Sequence, residues 1–318
     1  MINMILFWNL TISIFMALSS SSFFSLWICL EINMMMFIPL MNSKNVLSSS
    51  SMILYFISQS LASTIFITFF FMSLINPYSN FPSTLFMMSA ILMKLGAAPF
   101  HFWFPEVAEG LSYYPFSLLM TIQKIIPLYM TMLMNNLMLI ISILMSAFIG
   151  SLGGFNQTSL RKLLAFSSIA HMAWMISLII SSSIWWTVYF LIYVMMILMI
   201  IHFCLKMNIS FVTQINTINQ IKMKLYFIIL LMSLGGLPPF LGFFIKMMSI
   251  KTIINFIPVI LLFLISSSLL NLFFYTRIIY PQLLKMYHKN IFILTKKKSL
   301  IMFPIQFLSL YIIIPMML

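Results

Sequence analysis

Lys94-Leu95-Gly96-Ala97-Ala98-Pro99 interrupts the apolar run 83–104, and Gly235-Gly236-Leu237-Pro238-Pro239 interrupts the run 225–254. Proline breaks a helix by lacking an N–H and crowding the preceding turn, and glycine by its conformational freedom. The runs themselves read as helices, because an isolated apolar segment in lipid must satisfy its backbone internally. They are the fourth and ninth apolar segments of the chain, so they cross the membrane in opposite directions. Two inverted five-helix repeats give this pattern, residues 1–135 and 136–280, with a basic loop and a last helix in 281–318. Glycine and proline are also commoner in membrane helices than in soluble ones, which is a plainer account of a single break. Two breaks at matched positions, each with a lysine nearby, favour the repeat.

Working outward, the 318-residue chain is 63% apolar and only 6% charged. A soluble domain carries about 45–50% apolar and about 25% charged residues, so a water-soluble fold is excluded. The sequence specifies an all-α polytopic membrane protein with about eleven transmembrane helices. Its apolar segments fall near 2–18, 22–41, 52–75, 83–104, 111–133, 136–155, 162–182, 184–205, 225–254, 256–280 and 299–317. No basic residue precedes Lys44, so residues 1–18 read as a retained first span rather than a signal or transit peptide. The serines at 19–22 and 48–51 read as polar turns.

Sixteen lysines and arginines face three acids, Glu31, Glu106 and Glu109, for a net charge of +13. In a soluble chain that balance would suggest nucleic acid, but here the bases sit in short gaps between apolar runs. Even-numbered gaps hold Lys44, Arg161, Lys162, Lys206, Lys222, Lys224, Lys285, Lys289, Lys296, Lys297 and Lys298, and odd-numbered gaps hold only Lys251. The positive-inside rule then puts the even gaps and the N-terminus on the negative side and the C-terminus opposite. The 296–298 triplet reads as a topology anchor rather than a lipid site. Cys29 and Cys204, both inside apolar runs, exclude a disulfide framework or a four-thiolate metal site.

Four ionisable groups lie within spans: Glu31 in the second, Lys94 beside the first break, Lys124 in the middle of the fifth and Lys246 after the second break. Each costs roughly 2.5–3.5 kcal/mol at the bilayer centre on insertion scales, and leucine or methionine would fill the same space without that cost. Snorkelling explains such groups near a span end, and Lys246 is nearer an end than the others. Burial disfavours an ammonium and a nearby carboxylate restores it, so a buried lysine with a movable glutamate is a protonation switch. Glu31, Lys94, Lys124 and Lys246 are therefore the candidate proton-transfer residues. His101, just past the break, and His171, in mid-span, are candidate relays, or else histidines bonded to a neighbouring helix. Glu106 and Glu109 read as solvated loop residues. No metal site, nucleotide fingerprint or nucleophile constellation is present in the pattern.

The stretches Leu30-Glu31-Ile32-Asn33, Met93-Lys94 through Phe102-Trp103, Gln123-Lys124, Asn156-Gln157-Thr158, Ser167-Ser168-Ile169-Ala170-His171-Met172 and Gly235 through Pro239 leading to Lys246 resemble, in order and over nearly the whole chain, the NADH–ubiquinone oxidoreductase chain 2 family. Those are the mitochondrially encoded, antiporter-like membrane subunits of respiratory complex I, and the methionine-rich, aspartate-free composition suits an animal mitochondrial gene. The resemblance implies proton movement along a central axis through Glu31, Lys94, Lys124 and Lys246, coupled to quinone reduction elsewhere in the complex. It implies no cofactor in this chain, while the complex uses NADH, FMN, iron–sulfur clusters and ubiquinone. It implies neighbouring antiporter-like subunits and lipids as partners, and a multi-pass place in the mitochondrial inner membrane, N-terminus in the matrix and C-terminus in the intermembrane space. Bacterial relatives carry three further N-terminal helices that this chain lacks. A stand-alone cation/proton antiporter, and a structural membrane subunit whose buried charges only pair, are the alternatives.

Overall fold

The computed structural model describes residues 2–43, 45–75, 80–134, 136–181, 183–217 and 220–288. The expected last segment at 299–317, with Lys44, Lys289 and the 296–298 triplet, lies outside them.

The described chain is helical, with a single isolated bridge between Ser159 and Phe211. Helices α1 (Ile2–Ser19) and α2 (Phe23–Met41) meet at a serine turn, where the Ser22 hydroxyl accepts the Ser25 N–H at 3.2 Å as an N-cap. Helix α3 (Val46–Ile75) starts earlier than its apolar pattern. The serines 48–51, expected as a turn, are helical instead. Their hydroxyls donate back three residues, as from Ser48 to Asn45 at 2.7 Å and from Ser51 to Ser48 at 2.8 Å, which satisfies them inside the helix.

The fourth segment is α4 (Asn80–Leu95), a break, and α5 (Trp103–Gly110). The fifth is α6 (Tyr113–Met120), a 3₁₀ turn at Ile122–Lys124, and α7 (Ile125–Leu133). This third interruption pivots at Thr121 with φ −120° and ψ −80° and occupies the turn before Pro127, which has no N–H for the Gln123 carbonyl and crowds it. Helices α8 (Leu137–Gly153), α9 (Leu160–Ile180) and α10 (Trp185–Met207) follow. The ninth segment divides into α11 (Ile221–Gly235) and α12 (Leu241–Ile253), and α13 (Pro258–His288) runs well past the expected end of the tenth. Lys222 and Lys224 thus sit on α11 rather than in a gap.

The two glycine breaks have one geometry. Gly96 and Gly236 hold φ of +67° and +81°, a conformation that only glycine adopts cheaply. Gly96 donates to the Met93 carbonyl and Ala97 to Leu92, both at 3.1 Å. Gly236 donates to Ser233 at 3.2 Å and Leu237 to Met232 at 3.3 Å. Equivalent residues stand at a constant sequence offset, so the two helix ends are closed by the same pair of bonds.

Helix α9 is the centre of the bundle. It is buried along nearly its whole length, with Ser167, Ser168, His171 and Ser177 enclosed among its apolar residues, and it packs against α5, α6, α7, α8, α10, α12 and α13. Its approach to α8 is close because Gly150 faces Ala170: a Cβ on Gly150 would meet the Ala170 nitrogen at 2.5 Å. Small residues at a helix contact are how membrane helices gain packing without a hydrophobic drive.

The basic gaps meet at one end of the bundle. Lys162 pairs with Glu109 at 2.7 Å and Glu106 at 3.3 Å, Arg161 donates to the Leu111 carbonyl, and Tyr113 donates to the Ile209 carbonyl. Arg277 donates to the Phe155 carbonyl at 2.7 Å. Glu106 and Glu109 are therefore helical residues of α5 held by a lysine, not members of a solvated loop.

Candidate functional site

The site begins at the first break. A helix end leaves carbonyls without intrahelical partners, and at α4 these are taken by two side chains. The Trp103 indole donates to the Met93 carbonyl at 3.0 Å, and the Gln59 amide to the Lys94 carbonyl at 3.5 Å. Lys94, in the last turn of α4, is buried, and its ammonium lies 3.6 Å from a Glu31 carboxylate oxygen on α2. The glutamate side chain is 23% exposed against 4% for the lysine, so the carboxylate stands nearer the bundle surface.

Lys94 and Lys124 share one cavity of about 20 Å³, walled by Asn33, Tyr55, Gln59 and Gln123 with apolar neighbours. About 10–15 Å³ is enough to hold a water. Three of its walls form a chain: Tyr55 donates to the Gln123 carbonyl oxygen at 3.2 Å, and the Gln123 amide donates to Asn33 at 3.0 Å. Lys124 projects from the 3₁₀ turn of the fifth segment and is 2% exposed. Its ammonium has no hydrogen-bond partner among the described residues and lies 4.9 Å from the Phe104 ring centroid and 5.6 Å from that of Tyr193. Ring faces attract a cation, but they cannot accept its three N–H bonds, and a water in the cavity can.

On the far side of Lys124 stands a cluster from α9, α10 and α13. The His171 ring lies 5.2 Å from Tyr193, and its Nδ1 is 2.8 Å from the Tyr189 hydroxyl. Lys246, on the second turn of α12, is buried and donates to the Gly235 carbonyl at 2.7 Å. Gly236 makes room for it: a Cβ there would meet the lysine ammonium at 2.9 Å.

A model of the family NADH:quinone oxidoreductase/Mrp antiporter, transmembrane, matches residues 20–271. The NADH-ubiquinone oxidoreductase chain 2 of Anopheles gambiae is 41% identical over 86% of this chain and 83% of its own length. That of Rhipicephalus sanguineus is 39% identical over 96% of this chain and 98% of its own. The chain belongs to the NADH–ubiquinone oxidoreductase chain 2 family. Among solved structures, a chain of respiratory complex I from Thermus thermophilus superposes with a TM-score of 0.79 at 20% identity, over 88% of this chain and 70% of that one. A chain of the Mrp complex from Dietzia gives 0.76 at 17% identity, over 86% of this chain and 59% of that one. The chain thus shares its fold with these membrane-complex chains.

Of the residues the sequence singled out, Glu31 pairs with Lys94, Lys94 and Lys124 line one cavity, Lys124 and His171 both lie beside the Tyr193 ring, and Lys246 is held at the second break. His101 does not join them. Its Nδ1 lies 3.2 Å from the Pro99 carbonyl and its ring lies tilted against Phe102, 4.4 Å between centroids, all within its own loop. Asn33, Tyr55, Gln59, Gln123, Tyr189 and Tyr193 were not picked out. A neutral amide or phenol in an apolar run is too common a feature to be read without its neighbours, although Gln123 beside Lys124 was a hint.

Proposed function

We propose that this chain carries protons across the mitochondrial inner membrane as a core membrane subunit of NADH:ubiquinone oxidoreductase. The protons pass along Glu31, Lys94, Lys124 and Lys246, with His171 between the last two. One observation carries the reading: two buried lysines share a water-sized cavity lined by amides and a phenol, next to a glutamate that pairs with one of them. A structural role needs neither the second lysine nor a polar space beside it. Moving Glu31 away leaves the Lys94 ammonium without its counter-charge and favours release of its proton, and return of the carboxylate favours capture.

In this reading the redox chemistry of NADH, FMN, iron–sulfur clusters and ubiquinone belongs to other chains. The matched breaks support a pair of inverted repeats, residues 1–135 and 136–280. The meeting of the basic gaps at one end supports an N-terminus in the matrix and a C-terminus in the intermembrane space. Exposed apolar residues of α1, among them Met4, Trp8 and Phe15, suit lipid or a neighbouring antiporter-like subunit. The test is Lys124→Met in the assembled complex, with protons moved per NADH oxidised as the readout. The ratio is expected to fall, and an unchanged ratio would remove Lys124 from the path.

A further inference from the structure

Helix α13 carries a row of buried polar residues that the lysine row does not use. Asn271, Tyr275 and Gln282 are 5%, 1% and 1% exposed. Their spacing of four and seven residues puts them on one face of a helix. The Asn271 Oδ1, the Tyr275 hydroxyl and the Gln282 Oε1 have no hydrogen-bond partner among the described residues. Buried polar atoms in native proteins are nearly always bonded to protein or water, and three orphans on one face mark where water belongs. At about 1.5 Å per residue they span about 16 Å along the helix.

The row has two distinct ends. Its inner part adjoins the site at Tyr275, which packs on Gly235, where a Cβ would stand 3.5 Å from its ring. The Gly235 carbonyl is the one that holds Lys246. The Tyr275 hydroxyl lies near the Ser167 hydroxyl of α9, one turn from His171, without a hydrogen bond to it, and Tyr275 interacts electrostatically with Tyr189 and Tyr193. Its outer end reaches the basic end of the bundle, where Arg277 is bonded to Phe155. There the Gln282 amide donates to the Ile278 carbonyl at 3.2 Å, and Ile278 with Pro281 lines a cavity of about 300 Å³ that also holds Gln157, Thr158 and Asn216.

We infer that the buried face of α13, from Gln282 through Tyr275 to Asn271, holds a file of waters that brings protons from the basic end of the bundle to His171 and Lys246. This rests on the proton-carrying reading above and adds an entrance to it. Each hydroxyl or water on the file accepts one proton as it gives up another, so no member changes its net protonation.

In the assembled complex, Tyr275→Phe keeps the ring and removes the carrier. Coupled turnover is expected to fall about tenfold, less than the roughly hundredfold that losing a positioned acid–base group costs, since water partly substitutes. NADH oxidation by an artificial acceptor is unchanged. Tyr280→Phe, on the exposed side of the same helix, leaves both activities as they were. Gln282→Cys, independent of how well Tyr275→Phe assembles, is modified by a water-soluble thiol reagent from the basic side only, and modification stops coupled turnover. Normal coupling in Tyr275→Phe, or a Gln282→Cys variant whose new thiol no reagent reaches, overturns the file. If Lys124→Met lowers the proton ratio while these variants behave normally, the lysine row stands without this entrance. A normal ratio in Lys124→Met removes the row itself.

Discussion

The Lys246 ammonium reaches back across a helix break to donate to the Gly235 carbonyl at 2.7 Å, and Gly236 between them leaves the space it occupies. Charge-assisted bonds of this kind are roughly twice as strong as neutral ones. A lysine at the C-terminal end of α11 is also favoured by the helix dipole.

Adjacent glycines should therefore respond in opposite ways. Gly236→Ala meets a left-handed backbone and a lysine ammonium 2.9 Å away. Together these cost about 2–4 kcal/mol by the typical penalties for left-handed residues and overpacking. Gly235→Ala finds only the Tyr275 ring at an ordinary 3.5 Å and is tolerated. The check is the yield of assembled complex and its coupled turnover, with loss in the first variant and retention in the second.

Glu31→Gln removes the counter-charge of a buried ammonium. Breaking a buried pair costs about 3–5 kcal/mol, and the partial exposure of Glu31 lowers this to roughly 1–3 kcal/mol. Adding Lys94→Met relieves the stranded charge, so the double variant assembles better than the single one yet stays uncoupled. Coupled turnover in the double variant at the native level would mark the pair as structural only. The measurement is proton uptake in vesicles alongside NADH oxidation.

The other two carboxylates are expected to be dispensable for transport. Glu109 and Glu106 share Lys162 at the bundle end with solvent access, where an ion pair contributes under about 1 kcal/mol. Glu109→Gln should pump normally and lose only a little thermal stability, and that loss should shrink at high salt as the native pair is screened.

The overall class was legible because the constraint of lipid is severe: composition, run length and the uneven placement of Lys and Arg leave few alternatives to a helical bundle. The breaks at Gly96 and Gly236 were legible for a chemical reason, since glycine and proline announce themselves. The break before Lys124 was not, because its one local signal, Pro127 crowding the Gln123 carbonyl, is a single proline with no glycine beside it in an otherwise apolar run. Serines 48–51 misled for the converse reason, as hydroxyls that bond their own helix carry no turn signal. At the site, charged side chains stood out against apolar runs. The phenols and amides around them acquired meaning only once α2, α3 and α10 brought them to Lys94 and Lys124.

Each glycine break is spanned by a donor from the helix that follows it, returning to a carbonyl of the helix that precedes it. At the first break the donor is the Trp103 indole, which has no proton to lose under any cellular condition. At the second it is the Lys246 ammonium. The two halves of the molecule thus close the same joint with a permanent fastener and with a releasable one. On the proposed path, a proton leaving Lys246 would weaken the link between α11 and α12 in the same event. On that path, charge transfer and the stiffness of one joint would become a single variable there, and at the first break they would not.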